Sequence, residues 1–393
     1  MTQPRNAWPV VIAYAFAASA AMGLQLIYAP VTTVAAQHYQ TSVAAIGWLS
    51  EVFPLMYVLV SIPAGLLLDR WFRASLILGA ALIAGGALIR QLNDTFYWAL
   101  AGQLVAAVGQ PLILNGITKL ASNYLRERDR PLGIAIAMAS VYVGQLLAIA
   151  LGSILSTQSQ LSSLTTISTL YTVIVAIGLV VCLRRPGSFV AAGEASPGLS
   201  SLLWLWKDPF IRSITVIAFI GIGSFTALLT WLQALLEPAG VPPAASGSML
   251  LGMIIAGIVG TSILPVRVAR LKKEYALMLI ASVIGVIASL VLAFIPSVWT
   301  GMIAMPVDGL LLLAVMPIIL EVTERRAGPN AGTATAMIWM AGNAGALIIA
   351  MAVQALVTQP TIALIVMSAI SASAIPLVLL LRRQALTPPR QIA

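Results

Sequence analysis

Long apolar stretches separated by short polar segments recur along the whole chain. Each stretch reaches the roughly 20 residues that an α-helix needs to cross a hydrocarbon core about 30 Å thick. The pattern predicts twelve membrane-spanning helices, which we number spans 1 to 12, and therefore an all-α membrane protein. The predicted spans cover residues 10–36, 43–68, 74–92, 96–119, 131–156, 163–183, 213–236, 246–266, 275–295, 299–321, 331–355 and 360–381.

The basic residues predict the orientation of these spans. Of the 21 Lys and Arg residues, all but Arg90 fall in the two termini or in every second loop. Cytoplasmic loops of membrane proteins carry such an excess of Lys and Arg. We therefore expect both termini in the cytoplasm and the protein in the cell membrane, the inner membrane in a bacterium.

Composition excludes several classes of protein. The chain is 60% apolar and only 8% charged, which a water-soluble core cannot accommodate. A net charge of +9 would suggest nucleic-acid binding in a soluble protein, but here the basic residues lie in short loops facing lipid headgroups. One His and one Cys argue against a metal site or a membrane enzyme, so we expect no cofactor, no metal and no nucleic acid.

The longest polar interruption divides the spans six and six. It predicts an N-terminal six-helix bundle over 1–183, a cytoplasmic linker over 184–212 and a C-terminal six-helix bundle over 213–393. Trp204 and Trp206, just before Lys207, are typical of a short interfacial helix in this linker. All other connections are short, which leaves no room for a soluble catalytic domain.

The loop after span 2 reads GLLLDRWFR from Gly65 to Arg73, and the loop after span 8 reads RVARLKKEY from Arg267 to Tyr275. The first resembles the G-x-L-x-D-R-x-G-R loop of the major facilitator superfamily, and the second is a degenerate copy without the Asp. The resemblance implies a pseudo-twofold pair of bundles around a central cavity. Spans 1, 4, 7 and 10 would line that cavity, and spans 3, 6, 9 and 12 would face lipid.

A closer resemblance rests on three stretches: IGWLSEVFPLMYVLVSIPAGLLLD over 46–69, GQPLILNGITKLASNYLRERDR over 109–130 and NAGTATAMIW over 330–339. Together they resemble the solute carrier group of the feline leukaemia virus subgroup C receptor, whose members carry choline, ethanolamine or haem-related substrates. In that group a glutamine and a tryptophan of span 1 belong to the cation cage. Gln25 matches the glutamine, whereas the tryptophan position is Leu26.

Two features of proton-driven drug exporters are missing. Span 4 carries Gln103 where many proton-coupled relatives have an arginine, and span 5 lacks the Gly-Pro motif of drug antiporters. These departures disfavour a proton-driven drug exporter relative to a transporter of a small organic solute.

Polar and aromatic side chains within the spans are the candidates for substrate binding, because polar groups in lipid-spanning helices are costly unless they face a cavity or a partner. The resemblance places Gln145, Phe225 and Asn343 near cavity positions of the solute carrier group. Trp339 lies well inside span 11, as expected of a stacking or cation–π surface. Gln and Asn can instead hold helices together by hydrogen bonds. The full set is Gln25, Tyr28, Gln103, Gln110, Asn115, Tyr142, Gln145, Phe225, Gln233, Asp308, Trp339 and Asn343.

A second set of residues carries charge and suits gating or coupling. Asp69, Arg70 and Arg73 form the loop after span 2, where Asp69 is expected in an inner gate and the arginines in a gate or on headgroups. Glu321 is expected to pair with Arg325, Arg326 or Lys119 on the same side. Glu51 and Arg90 are expected either to pair structurally or to take part in coupling.

Asp308 is the sharpest candidate of this second set. It is a carboxylate deep in span 10 with no evident basic partner in the sequence, so a substrate cation or a coupling proton would neutralise it.

The sequence therefore predicts a monomeric, non-enzymatic transporter that moves a small organic solute, such as an amine, across the bilayer by alternating access. A proton-driven multidrug or metabolite exporter is the alternative within transport. A receptor or scaffold without transport, or a polytopic enzyme, is the alternative from another class.

Overall fold

The computed structural model describes residues 6–184, 187, 189, 207–327 and 331–384. Within them, twelve helices are long and apolar enough to cross a membrane, which confirms the predicted spans. Spans 1 to 6 are formed by Trp8–Leu26 with Thr32–His38, Val43–Arg70, Phe72–Ile89, Phe96–Leu114, Arg130–Ile154 and Leu161–Cys182. Spans 7 to 12 are formed by Pro209–Leu236, Pro243–Arg270, Glu274–Phe294, Val298–Ala327, Ala331–Gln354 and Pro360–Gln384. The predicted interfacial helix at Trp204 and Trp206 lies outside the described residues.

Proline shapes several of these helices. Span 1 breaks after Leu26, passes through the 3-10 turn Ala29–Val31 and resumes at Thr32. Pro30 lies in that turn, where its ring and its missing N–H prevent a continuous helix. Span 4 contains Pro111 and ends at Leu114, and the short helix Ile117–Tyr124 follows it. Such breaks are tolerated in lipid only where neighbouring helices satisfy the freed backbone groups.

The chain forms two compact units, Met1–Ser196 and Pro197–Ala393, so the division falls inside the predicted linker. In the first unit, span 1 packs against span 5, and span 4 packs against spans 2 and 3. Small residues allow this close approach. A Cβ built on Gly86 of span 3 would lie 2.3 Å from the carbonyl oxygen of Gly102 in span 4, and one on Gly144 of span 5 would lie 2.0 Å from that of Ser19. Such contacts provide the van der Waals packing that holds helices together in lipid.

The second unit repeats the scheme: spans 7 and 11 pair as spans 1 and 5 do, and spans 8 and 10 pair as spans 2 and 4 do. Span 8 packs against span 10, span 7 against span 11, and span 9 against span 12. A Cβ on Gly260 of span 8 would lie 1.9 Å from the carbonyl oxygen of Leu310 in span 10. One on Gly345 of span 11 would lie 2.1 Å from that of Phe219 in span 7. The backbones of these pairs are therefore in direct contact.

Adjacent glycines in span 3 test this packing. Gly86→Ala forces a methyl group into the backbone of span 4, and we expect overpacking of this kind to reduce stability by about 1–3 kcal/mol or more. Gly85→Ala is the matched control, because a Cβ there meets nothing within 4 Å. Alanine also favours the helix over glycine, so this control is expected to match or slightly exceed the wild-type stability. Thermal unfolding of the purified variants measures the difference, and equal melting temperatures for the two variants would contradict the packing scheme.

Candidate functional site

Two glutamines of the first unit meet between spans 1 and 4. The Gln110 amide nitrogen donates to the Gln25 side-chain oxygen at 3.0 Å, and both residues are buried. Gln110 Nε2 also lies 3.4 Å from the sulfur of Met22. The structure thus brings together two of the predicted substrate-binding amides. The Gln25 amide nitrogen has no hydrogen bond to the described residues, so this pair retains a donor.

Gln103, which directly follows Gly102 in span 4, has a different environment. Its amide nitrogen donates to the carbonyl oxygens of Leu24, at 2.8 Å, and of Leu49, at 3.0 Å. Leu24 lies just before the break in span 1, and Leu49 belongs to span 2. Gln103 was predicted to bind substrate. In the structure its amide joins spans 1, 2 and 4, at the point where the break in span 1 leaves the Leu24 carbonyl oxygen without a helical partner. Its hydrogen bonds are those of a residue that holds helices together.

Gln145 of span 5 contrasts with Gln103. Its side chain is only 6% exposed, and its Oε1 is buried without a hydrogen-bond partner among the described residues. Tyr142, one turn earlier, is half-buried. A buried amide without a partner is costly. Gln145 is therefore a predicted site residue whose side-chain oxygen receives no hydrogen bond from the described helices.

Asn115, at the end of span 4, is paired with span 2. It accepts a hydrogen bond from the Tyr57 hydroxyl at 2.7 Å and donates to the Ser61 hydroxyl at 3.1 Å. Asn115 remains half-buried. These bonds connect spans 2 and 4 directly after the helix that contains Pro111.

Arg90 lies at the predicted outer end of span 3 and is buried. Its guanidinium donates to the Thr165 carbonyl oxygen at 3.1 Å and to the hydroxyls of Ser168 and Thr169 in span 6. These hydrogen bonds join Arg90 to span 6, its Nη1 is buried without a hydrogen-bond partner among the described residues, and it forms no ion pair with Glu51 in the described part of the chain. Tyr28 lies beside Arg90, and the Tyr28 hydroxyl is 3.4 Å from the Tyr39 hydroxyl.

Two further contacts lie at the same predicted outer end. The His38 imidazole is 2.8 Å from the Asp94 carboxylate, and burial raises the pKa of the nearby Tyr39. The Gln158 amide donates to the Gln37 side chain at 2.7 Å. The loops after spans 1, 3 and 5 are therefore joined by polar contacts.

The loop after span 2 is anchored by its arginines. Arg73 Nε donates to the Leu183 carbonyl oxygen at 2.9 Å and its Nη2 to that of Arg184 at 2.9 Å, which caps the end of span 6. The Arg70 guanidinium lies 4.5 Å from the Trp71 ring centre, in a cation–π contact. The side chain of Asp69, the predicted gate residue, lies outside what the structure describes.

Apart from Asp308, the candidate substrate-binding residues of the second unit lie on spans 7 and 11. Gln233 is buried and donates to the Glu237 carboxylate at 2.8 Å, one turn further along span 7. The Asn343 amide nitrogen donates to the Trp339 carbonyl oxygen at 3.0 Å, within its own helix. Phe225 and Trp339 are half-buried. They are the predicted site residues of this unit that keep part of an aromatic ring accessible.

Asp308 of span 10 lies beside spans 9 and 12 of its own unit. It is 2% exposed, and its Oδ1 has no hydrogen-bond partner among the described residues. A Cβ built on Gly285 of span 9 would lie 3.4 Å from this oxygen and 3.6 Å from the Ser371 hydroxyl of span 12. The carboxyl group therefore points at spans 9 and 12.

Ion pairs close the predicted cytoplasmic end of the second unit. Arg325 is 3.1 Å from Glu274 and 3.7 Å from Glu321, which is one of the pairings expected for Glu321. Arg326 is 3.2 Å from Asp208, whose other oxygen accepts the Phe210 backbone N–H at 2.8 Å.

The sequence reasoning missed Asp208 and Glu274 as members of this cluster. An Asp directly before Pro209 is a recognisable helix N-cap and could have indicated the first of them. No group of three or more His, Cys, Asp or Glu residues suited to a metal ion occurs within the described ranges.

Solved structures of transporters have the same fold. A bacterial homolog of the human lysosomal transporter Spinster matches with a TM-score of 0.78 at 14% identity, over 98% of this chain and 99% of that one. A mutant of the nucleoside transporter NupG matches with a TM-score of 0.71 at 14% identity, over 95% of this chain and 99% of that one.

Similar sequences come from solute carriers. Solute carrier family 49 member A3 of Danio rerio is 27% identical over 85% of this chain and 75% of its own length. The choline/ethanolamine transporter FLVCR1 of Felis catus is 24% identical over 72% of this chain and 55% of its own length. Both agree with the predicted resemblance. The sequence profile of the Major Facilitator Superfamily matches residues 11–350, and the chain belongs to that family of solute transporters.

Proposed function

We propose that this transporter carries a small organic amine and binds it through uncharged side chains. Buried Gln145 carries the proposal, because its Oε1 lacks a hydrogen bond in the described structure. An amide oxygen accepts a hydrogen bond from an ammonium or hydroxyl group of a solute, and that bond would remove the cost of the buried acceptor. Gln25 and Gln110 supply further amide groups in the same unit.

Aromatic rings in the second unit suit the same class of solute. Phe225 and Trp339 are both half-buried, and the face of an indole or phenyl ring attracts a cation. Asp308 points at spans 9 and 12, so its charge is not needed for this recognition. One relative is a choline/ethanolamine transporter, which favours an amine for this chain as well.

Three other functions make different demands. A proton-driven exporter of drugs or metabolites would favour bulky apolar solutes over small amines. A receptor or scaffold without transport would have no use for an unpaired buried amide, and an enzyme would require reactive groups that the candidate site does not offer. We propose a monomer in the cell membrane that binds no nucleic acid.

The orientation is part of the proposal. Cytoplasmic termini place Arg73, Arg325 and Arg326 on the cytoplasmic side, as the excess of basic residues in these loops favours. A reporter inserted after Gln158 is then expected to read external, and one fused after Arg184 cytoplasmic. Opposite labelling by a membrane-impermeant reagent would reverse the orientation.

Gln145 and Gln103 form a matched pair for testing the site. Gln145→Leu removes a buried amide oxygen that has no hydrogen-bond partner among the described residues, so stability is expected to stay at the wild-type level or rise slightly. If Gln145 binds the solute, the loss of a charge-assisted hydrogen bond of about 1.5–3 kcal/mol is expected to raise the KM for ethanolamine roughly tenfold to a hundredfold. Uptake of labelled ethanolamine into proteoliposomes measures the KM, and thermal unfolding measures stability.

Gln103→Leu is the control, with the opposite expectation. It removes two hydrogen bonds to carbonyl oxygens, each of which contributes about 1 kcal/mol to the free energy of unfolding. The melting temperature is therefore expected to fall. Its effect on KM is expected to be small. A Gln145→Leu protein that transports ethanolamine like the wild type would remove Gln145 from the site. Wild-type protein that transports neither ethanolamine nor any other amine would overturn the proposed solute class.

A further inference from the structure

A cavity lies at the predicted cytoplasmic end of the first unit, and no candidate substrate-binding residue lines it. Its volume is about 410 Å³, within the range of small-molecule sites in proteins. Asn123 and Tyr124, at the end of the short helix that follows span 4, form part of its lining. The other lining residues come from the start of span 3 and from the linker: Trp71, Phe72, Arg73, Ala74, Gly187 and Phe189.

The described residues of the linker close one side of this cavity. The Phe189 backbone N–H donates to the Asn123 carbonyl oxygen at 3.2 Å. A Cβ built on Gly187 would lie 2.5 Å from the same oxygen, so the linker and the short helix are in backbone contact. Aromatic side chains from three segments of the chain therefore share one cavity with Arg73.

Guanidinium groups at this cavity retain free donors. Arg73 Nε and Nη2 donate to carbonyl oxygens at the end of span 6, whereas Arg73 Nη1 makes no hydrogen bond to the described residues. Arg184 supplies one of these carbonyl oxygens, and its side chain is exposed. Arg70 is also exposed and stacks on the Trp71 ring, without a hydrogen bond or ion pair to the described residues. Three arginines with unused N–H groups thus meet at the cavity and its rim.

The charge balance around the cavity favours an anion. Residues 65–74, 117–124 and 183–189 contain a single acid, Asp69. Arginine is the side chain that best matches a phosphate, because its planar fork can donate two parallel hydrogen bonds. A phosphate group is therefore the ligand that these arginines suit.

An exposed apolar strip of span 3 begins at this cavity. Ala74 lines the cavity, and Leu78, Ala81 and Gly85 follow it at helical spacing on the same face. Leu78 is 46% exposed, Ala81 is exposed, and a Cβ on Gly85 would meet nothing within 4 Å. In a membrane this strip lies against acyl chains. A ligand that joins a phosphate to a hydrocarbon chain fits the cavity and the strip together, whereas a soluble phosphate would use the cavity alone.

We propose that this cavity binds one anionic phospholipid of the membrane. Arg73, with Arg70 and Arg184 at the rim, holds the phosphate, and the glycerol region lies against the aromatic rings. One acyl chain follows the strip of span 3 from Ala74 onward. In the proposed orientation the lipid belongs to the cytoplasmic leaflet, where anionic headgroups attract basic segments. Because it binds only the folded protein, the lipid stabilises the contact of span 3, the short helix and the linker.

Native mass spectrometry of the full-length protein in detergent measures this site. The first molecule of phosphatidylglycerol is expected to bind more tightly than phosphatidylcholine, because only phosphatidylglycerol has a net negative headgroup. Arg70→Gln removes one of the three charges and is expected to weaken phosphatidylglycerol binding roughly fivefold. Arg270→Gln is the matched control. Arg270 ends span 8 on the same predicted side and does not line the cavity, so the affinity is expected to stay unchanged.

Ala74→Trp tests the shape of the site. Ala74 is exposed, so an indole there fills the mouth of the cavity without entering the core. Phosphatidylglycerol is expected no longer to raise the melting temperature of this variant, while the lipid-free melting temperature stays at the wild-type value. Equal affinities for the two lipids, equal effects of Arg70→Gln and Arg270→Gln, or wild-type binding by Ala74→Trp would overturn the proposal. Stabilisation by inorganic phosphate as strong as by phosphatidylglycerol would also overturn it, since that result indicates a site for a soluble anion.

Discussion

An unpaired polar group is far more costly in hydrocarbon than in water, and this constraint governs the whole molecule. It requires that each span be a helix, because only a helix pairs its backbone within one segment. Where a helix breaks, other groups must donate hydrogen bonds to the carbonyl oxygens that have lost their helical partners. Span 1 breaks after Leu26, and the Gln103 amide reaches the Leu24 carbonyl oxygen from span 4. Arg73 donates in the same way to the Leu183 carbonyl oxygen at the end of span 6.

The same constraint separates the polar residues into two groups. Gln103 and Asn115 are buried or half-buried, and each donates to groups on neighbouring helices. Their hydrogen bonds account for their presence. Gln145 and Asp308 are also buried, yet an oxygen of each lacks a partner in the described structure. Retaining such a group lowers stability, so a ligand that completes its bonding gives a physical reason for it. We assign a solute to Gln145.

Hydropathy and charge predicted the fold to a large extent. All twelve spans were located, since about 20 apolar residues in a row have few other uses. Helix ends shifted by a few residues, as at span 3, where the helix stops at Ile89 and Arg90 follows it. The resemblance to solute carriers was confirmed by the relatives of the chain.

The partners of polar residues were much harder to predict. A structural ion pair with Glu51 was one of the two roles expected for Arg90, because both are charged and lie toward the same side, but its guanidinium donates to Ser and Thr hydroxyls of span 6. The sequence also could not distinguish Gln103 from Gln145. Their difference depends on which carbonyl lies opposite, and therefore on the kink in span 1 and the packing of spans 4 and 5. Those are properties of the folded helices.

We expect the unpaired amide of Gln145, and not the paired amide of Gln103, to bind the solute. A structure of the protein determined by electron cryo-microscopy with ethanolamine bound tests this directly. The account predicts the solute within hydrogen-bond distance of the Gln145 side chain, with Gln103 still bound to the Leu24 and Leu49 carbonyl oxygens. A solute that contacts Gln103 and leaves Gln145 without a hydrogen bond would contradict it.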